Sequence, residues 1–262
     1  MTTNDVHVDA AAFRRDGWLE LPGALDGTEL EAIDQAVDTL ADWAAADGPG
    51  LHHFEATDTG AALARSEDFV PHSAVLRSLV CEGLIPAVLA ELFGEPSALF
   101  KEKINYKHPG GGGFAPHQDA TAYRFVDHHI SVMVPLDPAT RASGCLYVAP
   151  RPDGPEVLPN ERGRIDPAVA EELDWRPVEL APGDLLFFDS YTPHYSETNT
   201  TDRPRRAGYL TYNAASAGDF RAEYYADKRA EFDDAGGDFG GERVRISISD
   251  DFLGRPVEQD RS

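Results

Sequence analysis

The chain has 262 residues, with 46 Asp and Glu against 23 Lys and Arg, a formal net charge of −23, and 42% apolar or aromatic residues. That acid excess argues against unaided binding to nucleic acid or to an anionic membrane surface, because both repel it. No stretch reaches the ~18 consecutive apolar residues of a membrane span, and residues 1–12 lack the basic region and apolar core of a secretory signal. A soluble, cytoplasmic protein is expected, with Cys81 and Cys145 as reduced thiols, since two cysteines cannot build a disulfide framework. The length suits one domain spanning residues 1–262, because sandwiches and barrels of about 200–250 residues are commonly single. Only four residues are lysines, and Lys101, Lys103 and Lys107 fall within seven positions. Positive charge so concentrated in an acidic protein needs an anion or an acidic neighbour.

In chain order, Leu30, Ile33, Val37 and Leu40 recur at helical spacing after Asp26 and Thr28, which predicts a capped amphipathic helix. A second helix is predicted over about 73–93, from Ser73 to Gly94, with Pro86 starting a new turn or kinking it. From about residue 98 the pattern changes to short strands bounded by Gly, Pro and Asp, at 98–107, 128–136, 144–149, 176–180, 184–189 and 206–213. The Pro- and charge-rich stretch 151–175 reads as an insertion, and a last helix is predicted at about 219–232 before a polar tail. Helical support over about 10–95, a strand region over about 97–215 and a C-terminal helix and tail over 216–262 define a mainly β protein. Its expected core is a double-stranded β-helix, the cupin-like jelly roll, with flanking helices.

Residues i and i+2 of a strand face the same way, so His-x-Asp or His-x-Glu suits one metal ion. Composition alone predicts one or two such pairs, and the chain has three: His7-x-Asp9, His53-x-Glu55 and His117-x-Asp119. His7 belongs to a polar terminus and His53 to an expected interhelical loop, whereas His117 and Asp119 follow a Gly-rich turn and lead into the strand region. His194, after the apolar run 185–188 and a Pro-containing turn, is the candidate third ligand. Two histidines and one carboxylate leave three coordination positions open, the facial triad of non-haem Fe(II) oxygenases. A dicarboxylate co-substrate chelating that ion needs a cation for its far end, and Arg205, eleven residues after His194, can return along a neighbouring strand to supply a bidentate fork. Arg206 is then expected on the opposite face, and Arg203 in a solvated turn.

Phe13-x-x-Asp-Gly-Trp, His117-Gln-Asp, Ser143-Gly-Cys-Leu, Pro182-Gly-Asp and His194-x-Ser-x-x-Asn with Arg205, in that order over about residues 10–215, resemble the phytanoyl-CoA dioxygenase family of Fe(II)/2-oxoglutarate oxygenases. The resemblance implies that His117, Asp119 and His194 are catalytic iron ligands. It also implies that Arg205 holds 2-oxoglutarate, assisted by Ser196 and by polar side chains of the preceding strand, Asn105 and Lys101. The reaction it implies uses O2 as oxidant and yields a hydroxylated small molecule, succinate and CO2. A carboxylate at position 119 speaks against halogenation, for which family members carry a small residue there. Within the family, the segment from Lys103 to Ala120 and Arg221-Ala-Glu-Tyr-Tyr-Ala-Asp-Lys-Arg are similar to bacterial hydroxylases of 2-aminoethylphosphonate and its trimethylammonium analogue.

On an extended strand Lys101, Lys103, Asn105 and Lys107 share one face and Glu102, Ile104 and Tyr106 the other. If the first face lines the barrel mouth, one cation assists the co-substrate and others, Lys103 and Lys107, meet an anionic substrate group such as a phosphonate. Tyr123, His128, Tyr224 and Tyr225 are candidates for the rest of the pocket. The readings left open are a tailoring dioxygenase of natural-product synthesis and a metal-binding cupin-like protein without oxygenase activity. Acyl-CoA is disfavoured, because a bulky polyanion finds little basic surface on a chain of this charge.

Overall fold

The computed structural model describes residues 8–46, 48–57, 60–122 and 125–234. Helix α1 (Ala10–Asp16) is capped by Asp9 and ended by Gly17 at φ 94°, which turns the chain into β1 (Trp18–Leu21). Helix α2 (Gly27–Ala45) starts at Asp26, whose carboxylate accepts from the Thr28 and Glu29 backbone while Glu29 reaches back, closing a capping box. The helix expected over 73–93 is two helices, α3 (Ala74–Cys81), capped by Ser73, and α4 (Leu84–Phe93), ended by Gly94. The break lies at Glu82 and Gly83, with Gly83 at φ 72°, and not at Pro86. Pro86 sits in the first turn of α4, where a missing N–H leaves no intrahelical bond unmade.

Between α2 and α3 lies a hairpin of β2 (Leu51–Thr57) and β3 (Gly60–Glu67), which the sequence reading did not anticipate. His53 is therefore not in an interhelical loop: it sits in β2, buried and opposite Arg65. The hairpin carries His, Arg and Glu on its buried positions and so lacks the apolar alternation that announces a half-buried strand.

The strands form two antiparallel sheets. The larger has the order β1, β11 (Leu185–Asp189), β6 (Ile130–Pro135), β13 (Arg205–Ala214), β4 (Ser97–Lys107), β3, β2. The smaller has the order β10 (Arg176–Val178), β7 (Leu146–Val148), β12 (His194–Ser196), β5 (Phe114–His117), β9 (Arg164–Ile165), β8 (Asn160–Glu161). The insertion 151–175 holds the β8–β9 hairpin and a short helix α5 (Pro167–Glu171). Together with the flanking helices this is the expected jelly roll.

The helices cover one face of the large sheet. Ile33, Val37, Leu40, Leu76, Val80 and Leu89 pack there on Ile104, Tyr106, Val132, Val134, Phe187 and Leu210. The opposite face meets the small sheet through Met133, Leu186, Phe188 and Ala207 against Leu146, Val148 and Val178. Strand β6 is buried at all six positions because both of its faces are covered. Arg206 does point away from Arg205, toward the helices, where it pairs with Asp34, Asp38 and Asp137 at 2.8, 3.1 and 2.9 Å and ties α2 to β13.

Helix α6 (Arg221–Asp234) closes the open end of β3 and β4 through ion pairs. Arg221 reaches the fully buried Glu102 at 2.5 Å and Asp68 at 2.7 Å, and Lys228 pairs with Glu67. Glu102 also accepts from the Val70 backbone, and the Tyr225 hydroxyl donates to the Glu102 carbonyl at 2.9 Å. Removing the guanidinium strands a charge that has no water to turn to. Arg221→Met is expected to lower stability by ~3 kcal/mol, read as a fall in the urea midpoint at unchanged slope.

Candidate metal centre

His117 closes β5 and His194 opens β12, and the two are direct partners across the small sheet, with ring centroids 4.1 Å apart. Asp119 does not share their strand. Strand β5 stops at His117, and Asp119 begins a 3₁₀ turn, Asp119–Thr121, so the expected i, i+2 strand geometry is replaced by a turn that swings the carboxylate back. Gln118 locks this turn: its buried amide donates to the Tyr191 carbonyl at 2.7 Å and accepts from the Leu158 N–H at 2.7 Å. One ligand atom from each of His117, Asp119 and His194 lies within 4.8 Å of the others.

Both imidazoles are oriented for ligation. His117 Nδ1 donates to the Ala115 carbonyl at 2.7 Å and His194 Nδ1 to the Thr192 carbonyl at 2.9 Å, which leaves each Nε2 lone pair facing the cluster. The turn before His194 is held by the N-terminal Asp-Gly-Trp motif, where Gly17 O accepts from Thr192 Oγ1 and from Asp189 N, each at 2.8 Å. A Cβ on Gly17 would stand 2.3 Å from Thr192 Oγ1, so the close approach requires glycine. Asp119 accepts from Ser131 Oγ at 3.2 Å, and Ser131 in turn meets Thr211 Oγ1 at 3.1 Å. Burial pushes the Asp119 carboxyl up, but His194, Lys101, His117 and Lys103 outweigh it and hold the group well below the usual carboxylate range. Two imidazole nitrogens and a carboxylate are a donor set for a divalent transition metal.

The cluster opens into a cavity of about 500 Å³ between the two sheets. At one end stands Arg205, paired in register with Lys107 and only 3% exposed. One of its terminal nitrogens donates to the Gly144 carbonyl at 3.2 Å, while Nε and Nη1 have no hydrogen-bond partner among the described residues. Lys107 donates to the Gly144 carbonyl, to Ser196 Oγ at 2.9 Å and to the Glu197 carbonyl at 2.6 Å. Gly144, at φ 74°, brings its backbone close enough that a Cβ would meet Lys107 Nζ at 2.8 Å.

At the other end stand Lys101 and Lys103, reached along the same inward face of β4, with Asn105 between them and Lys107. Asn105 Oδ1 accepts from Arg65 Nε at 3.0 Å. Burial and the neighbouring Lys103 push the Lys101 ammonium well below its ordinary value, and burial with Arg65 brings Lys103 to about 8. Lys101 Nζ lies over the Tyr224 ring at 5.9 Å and Lys103 Nζ over the Tyr209 ring at 5.4 Å.

The structure thus places His117, Asp119, His194, Arg205, Ser196, Asn105, Lys101, Lys103 and Lys107 around one cavity. Tyr123 lies outside the described residues. His128 is turned to the surface and pairs with Asp189 at 2.8 Å, and Tyr225 is buried beneath Glu102, so neither lines the cavity; Tyr224 does. Sequence reasoning missed Arg65, Lys228 and the Ser131–Thr211 pair. Arg65 was hidden in an unrecognised strand. Lys228 carried a usable signal, since Tyr224 and Lys228 stand four apart on a predicted helix and so share a face.

A family model described as phytanoyl-CoA dioxygenase (PhyH) matches residues 13–207. The chain belongs to the phytanoyl-CoA dioxygenase family. Among its relatives, the methylphosphonate hydroxylase of Gimesia maris is 44% identical over 259 residues, covering 98% of each chain. The 2-aminoethylphosphonate dioxygenase of an uncultured bacterium is 39% identical, covering 94% of this chain and 96% of that one. Among solved structures, EctD from S. alaskensis with bound Fe superposes at a TM-score of 0.66 and 25% identity, covering 83% of this chain and 80% of that one. The epimerase SnoN, with Fe3+, alpha ketoglutarate and nogalamycin RO, shares the fold at a TM-score of 0.66 and 24% identity, covering 96% and 95%.

For this family member two outcomes follow. His194→Ala abolishes Fe(II) binding in anaerobic calorimetry, and Ser131→Ala, which frees the Asp119 carboxylate, weakens it about 10-fold. A lysine whose pKa is lowered loses its charge earlier as pH rises, so sulfate affinity of the metal-free cavity falls as pH passes about 8, the value of Lys103, instead of in the ordinary lysine range. Calorimetry between pH 7 and 9.5 reads this directly.

Proposed function

We propose that the protein is an Fe(II)- and 2-oxoglutarate-dependent dioxygenase that hydroxylates a small organophosphonate, with residues 1–262 acting as one catalytic unit in the cytoplasm. The observation that carries the reading is Arg205: a buried guanidinium whose Nε and Nη1 find no hydrogen-bond partner among the described residues, in the same cavity as a His–Asp–His cluster. Such a group is costly to bury unless an anion completes it. A planar carboxylate takes its fork in bidentate fashion. A metal-binding cupin-like protein without a co-substrate has no use for that arginine.

Bound iron with 2-oxoglutarate and O2 supplies the chemistry: a C–H bond becomes C–OH while the 2-oxo acid loses CO2 to give succinate. The chain's residues do the rest. His117, Asp119 and His194 would hold the metal at the wall of the cavity. Arg205 would receive the far carboxylate, with Ser196 and Lys107 beside it. This exchanges two of the sequence expectations. Lys107, expected at the substrate, stands in register with Arg205, whereas Lys101, expected at the co-substrate, lies six residues along β4, on the Asp119 side. Because the strand rises about 3.3 Å per residue, those two positions are roughly 20 Å apart along the backbone and cannot grip one carboxylate. Lys101 and Lys103 then face the substrate anion. The phosphonate assignment draws on the two phosphonate-processing relatives and on this cationic wall.

Anaerobic addition of Fe(II) and 2-oxoglutarate is expected to give a weak visible charge-transfer band. Its absence would sink the oxygenase reading. Arg205→Ala removes two charge-assisted hydrogen bonds, so the 2-oxoglutarate midpoint of that band rises roughly 100-fold. Succinate release above background is expected with alkyl- and aminoalkylphosphonates as a class and not with amino acids or acyl-CoA esters. Equal background turnover with all phosphonates rejects the phosphonate assignment while leaving the oxygenase standing.

A further inference from the structure

The chain contains four lysines, and all four, Lys101, Lys103, Lys107 and Lys228, line the same cavity. Surface pairing is carried by arginine instead, as in Arg15–Asp16, Arg176–Asp174 and Arg206–Asp34. With Lys107 beside Arg205, the other three stand at the Asp119 end, and Lys228 arrives there from a different element, α6. Its ammonium is held by Glu67, which also takes Arg65 at 3.2 Å. Tyr224 is the hub: Lys101 lies over its ring at 5.9 Å and Lys228 at 5.8 Å.

Resting on the proposed function, we infer that Lys101, Lys103 and Lys228 form the subsite for a phosphonate dianion that carries no ammonium group, and that Lys228 on α6 is a specificity-determining residue.

Charge supports this inference. Lys101, Lys103, Lys228 and Arg65 are four cations, and among the described residues Glu67 and Asp227 are carboxylates beside them outside the metal cluster. When all are ionised, an excess of two positive charges remains, which a phosphonate dianion balances and a carboxylate does not. Burial first, and then the neighbouring cations, drives the Lys101 and Lys103 ammonium groups down. Shape agrees as well, since compact ammonium groups approaching from β4 and α6 suit a tetrahedral oxyanion, whereas a planar fork suits the carboxylate at Arg205. A substrate ammonium fares badly here. The aromatic face that would receive it, Tyr224, already faces two lysines, and a third positive charge adds like-charge repulsion in a buried site.

The test compares wild type with Lys103→Met, Lys228→Met and Lys228→Arg, measuring succinate release with methylphosphonate, 2-aminoethylphosphonate and acetate. The 2-oxoglutarate midpoint of the visible band is measured on the same proteins. Each Met variant is expected to raise the KM for methylphosphonate about 10-fold or more, as loss of one charge-assisted contact does, with the 2-oxoglutarate midpoint within about twofold. Lys228→Arg is expected to recover part of that loss, and wild-type kcat/KM to favour methylphosphonate over both other compounds by about tenfold or more. A readout independent of turnover is amine footprinting by mass spectrometry on the anaerobic Fe(II)-loaded protein. Methylphosphonate is expected to protect Lys103 and Lys228, and 2-oxoglutarate to protect Lys107. Unchanged KM and footprint in both Met variants, or 2-aminoethylphosphonate matching methylphosphonate, overturns the inference even where the band forms normally. If Lys228→Met loses its native circular dichroism, Lys103→Met decides. A wild type without the band overturns the underlying oxygenase reading instead.

Discussion

The register between β13 and β4 is the constraint on which the rest of this molecule depends. Arg205 faces Lys107, Tyr209 faces Lys103 and Thr211 faces Lys101, so each cavity-lining position of β13 is matched by one of β4. The intervening residues, Ile104, Tyr106, Leu210 and Tyr212, belong to the apolar layer under the helices. Side chains alternate with a period of two, so a slip of β4 by one residue would drive its three lysines into that layer and turn Ile104 toward the cavity. Burying one unpaired charge costs several kcal/mol, so the alternative pairings are removed by the same residues that equip the site.

Fixing the cations on one face leaves the question of how the fold tolerates them. Lys107 is absorbed by backbone: the Gly144 and Glu197 carbonyls and Ser196 Oγ take all three of its donors. The other end is handled by carboxylates on separate elements, Glu67 from β3 and Asp227 from α6, with Glu102 and Asp68 anchoring α6 through Arg221. The C-terminal helix is thus joined to the sheet by ion pairs more than by apolar packing, and it contributes Tyr224, Asp227 and Lys228 to the cavity wall. Loss of those pairs would uncover the cavity as well as destabilise the sheet edge. Stability and site are coupled at this helix.

Much of this was legible in the sequence, and the failures have physical reasons. Helix α2 was announced by its cap and apolar stripe, and the six expected strands all exist because each carries apolar or β-branched alternation. The β2–β3 hairpin was missed because its buried positions are His53, Glu55, Arg65 and Glu67, which satisfy each other and not an apolar core. Short strands such as β5 and β12 were missed because two to four residues leave no period to read, although both carry metal-cluster histidines. The inward face of β4 was readable by alternation alone, but which end of it meets Arg205 was not. That depends on an antiparallel register between strands about a hundred residues apart, which no local pattern encodes.

The division between lysine and arginine follows from the same physics as the acidic exterior. On a surface with twice as many acids as bases, a guanidinium can bridge several carboxylates at once, as Arg206 does with Asp34, Asp38 and Asp137. A surface lysine would offer a single, more strongly hydrated point charge for the same place. Inside the cavity the preference reverses. Four flat guanidinium groups would fill much of a space of about 500 Å³ and demand planar partners, whereas ammonium groups on thin stems leave volume for a ligand and impose no plane on it. Arg205 keeps its guanidinium because its partner in the proposed reaction is planar, and Arg65, which also lines the cavity, spends its own on Asn105 and Glu67. The acid excess therefore does more than exclude polyanions from the surface. It sets the background against which a few buried lysines make this cavity a place of concentrated positive charge, to which small anions are drawn down the potential gradient.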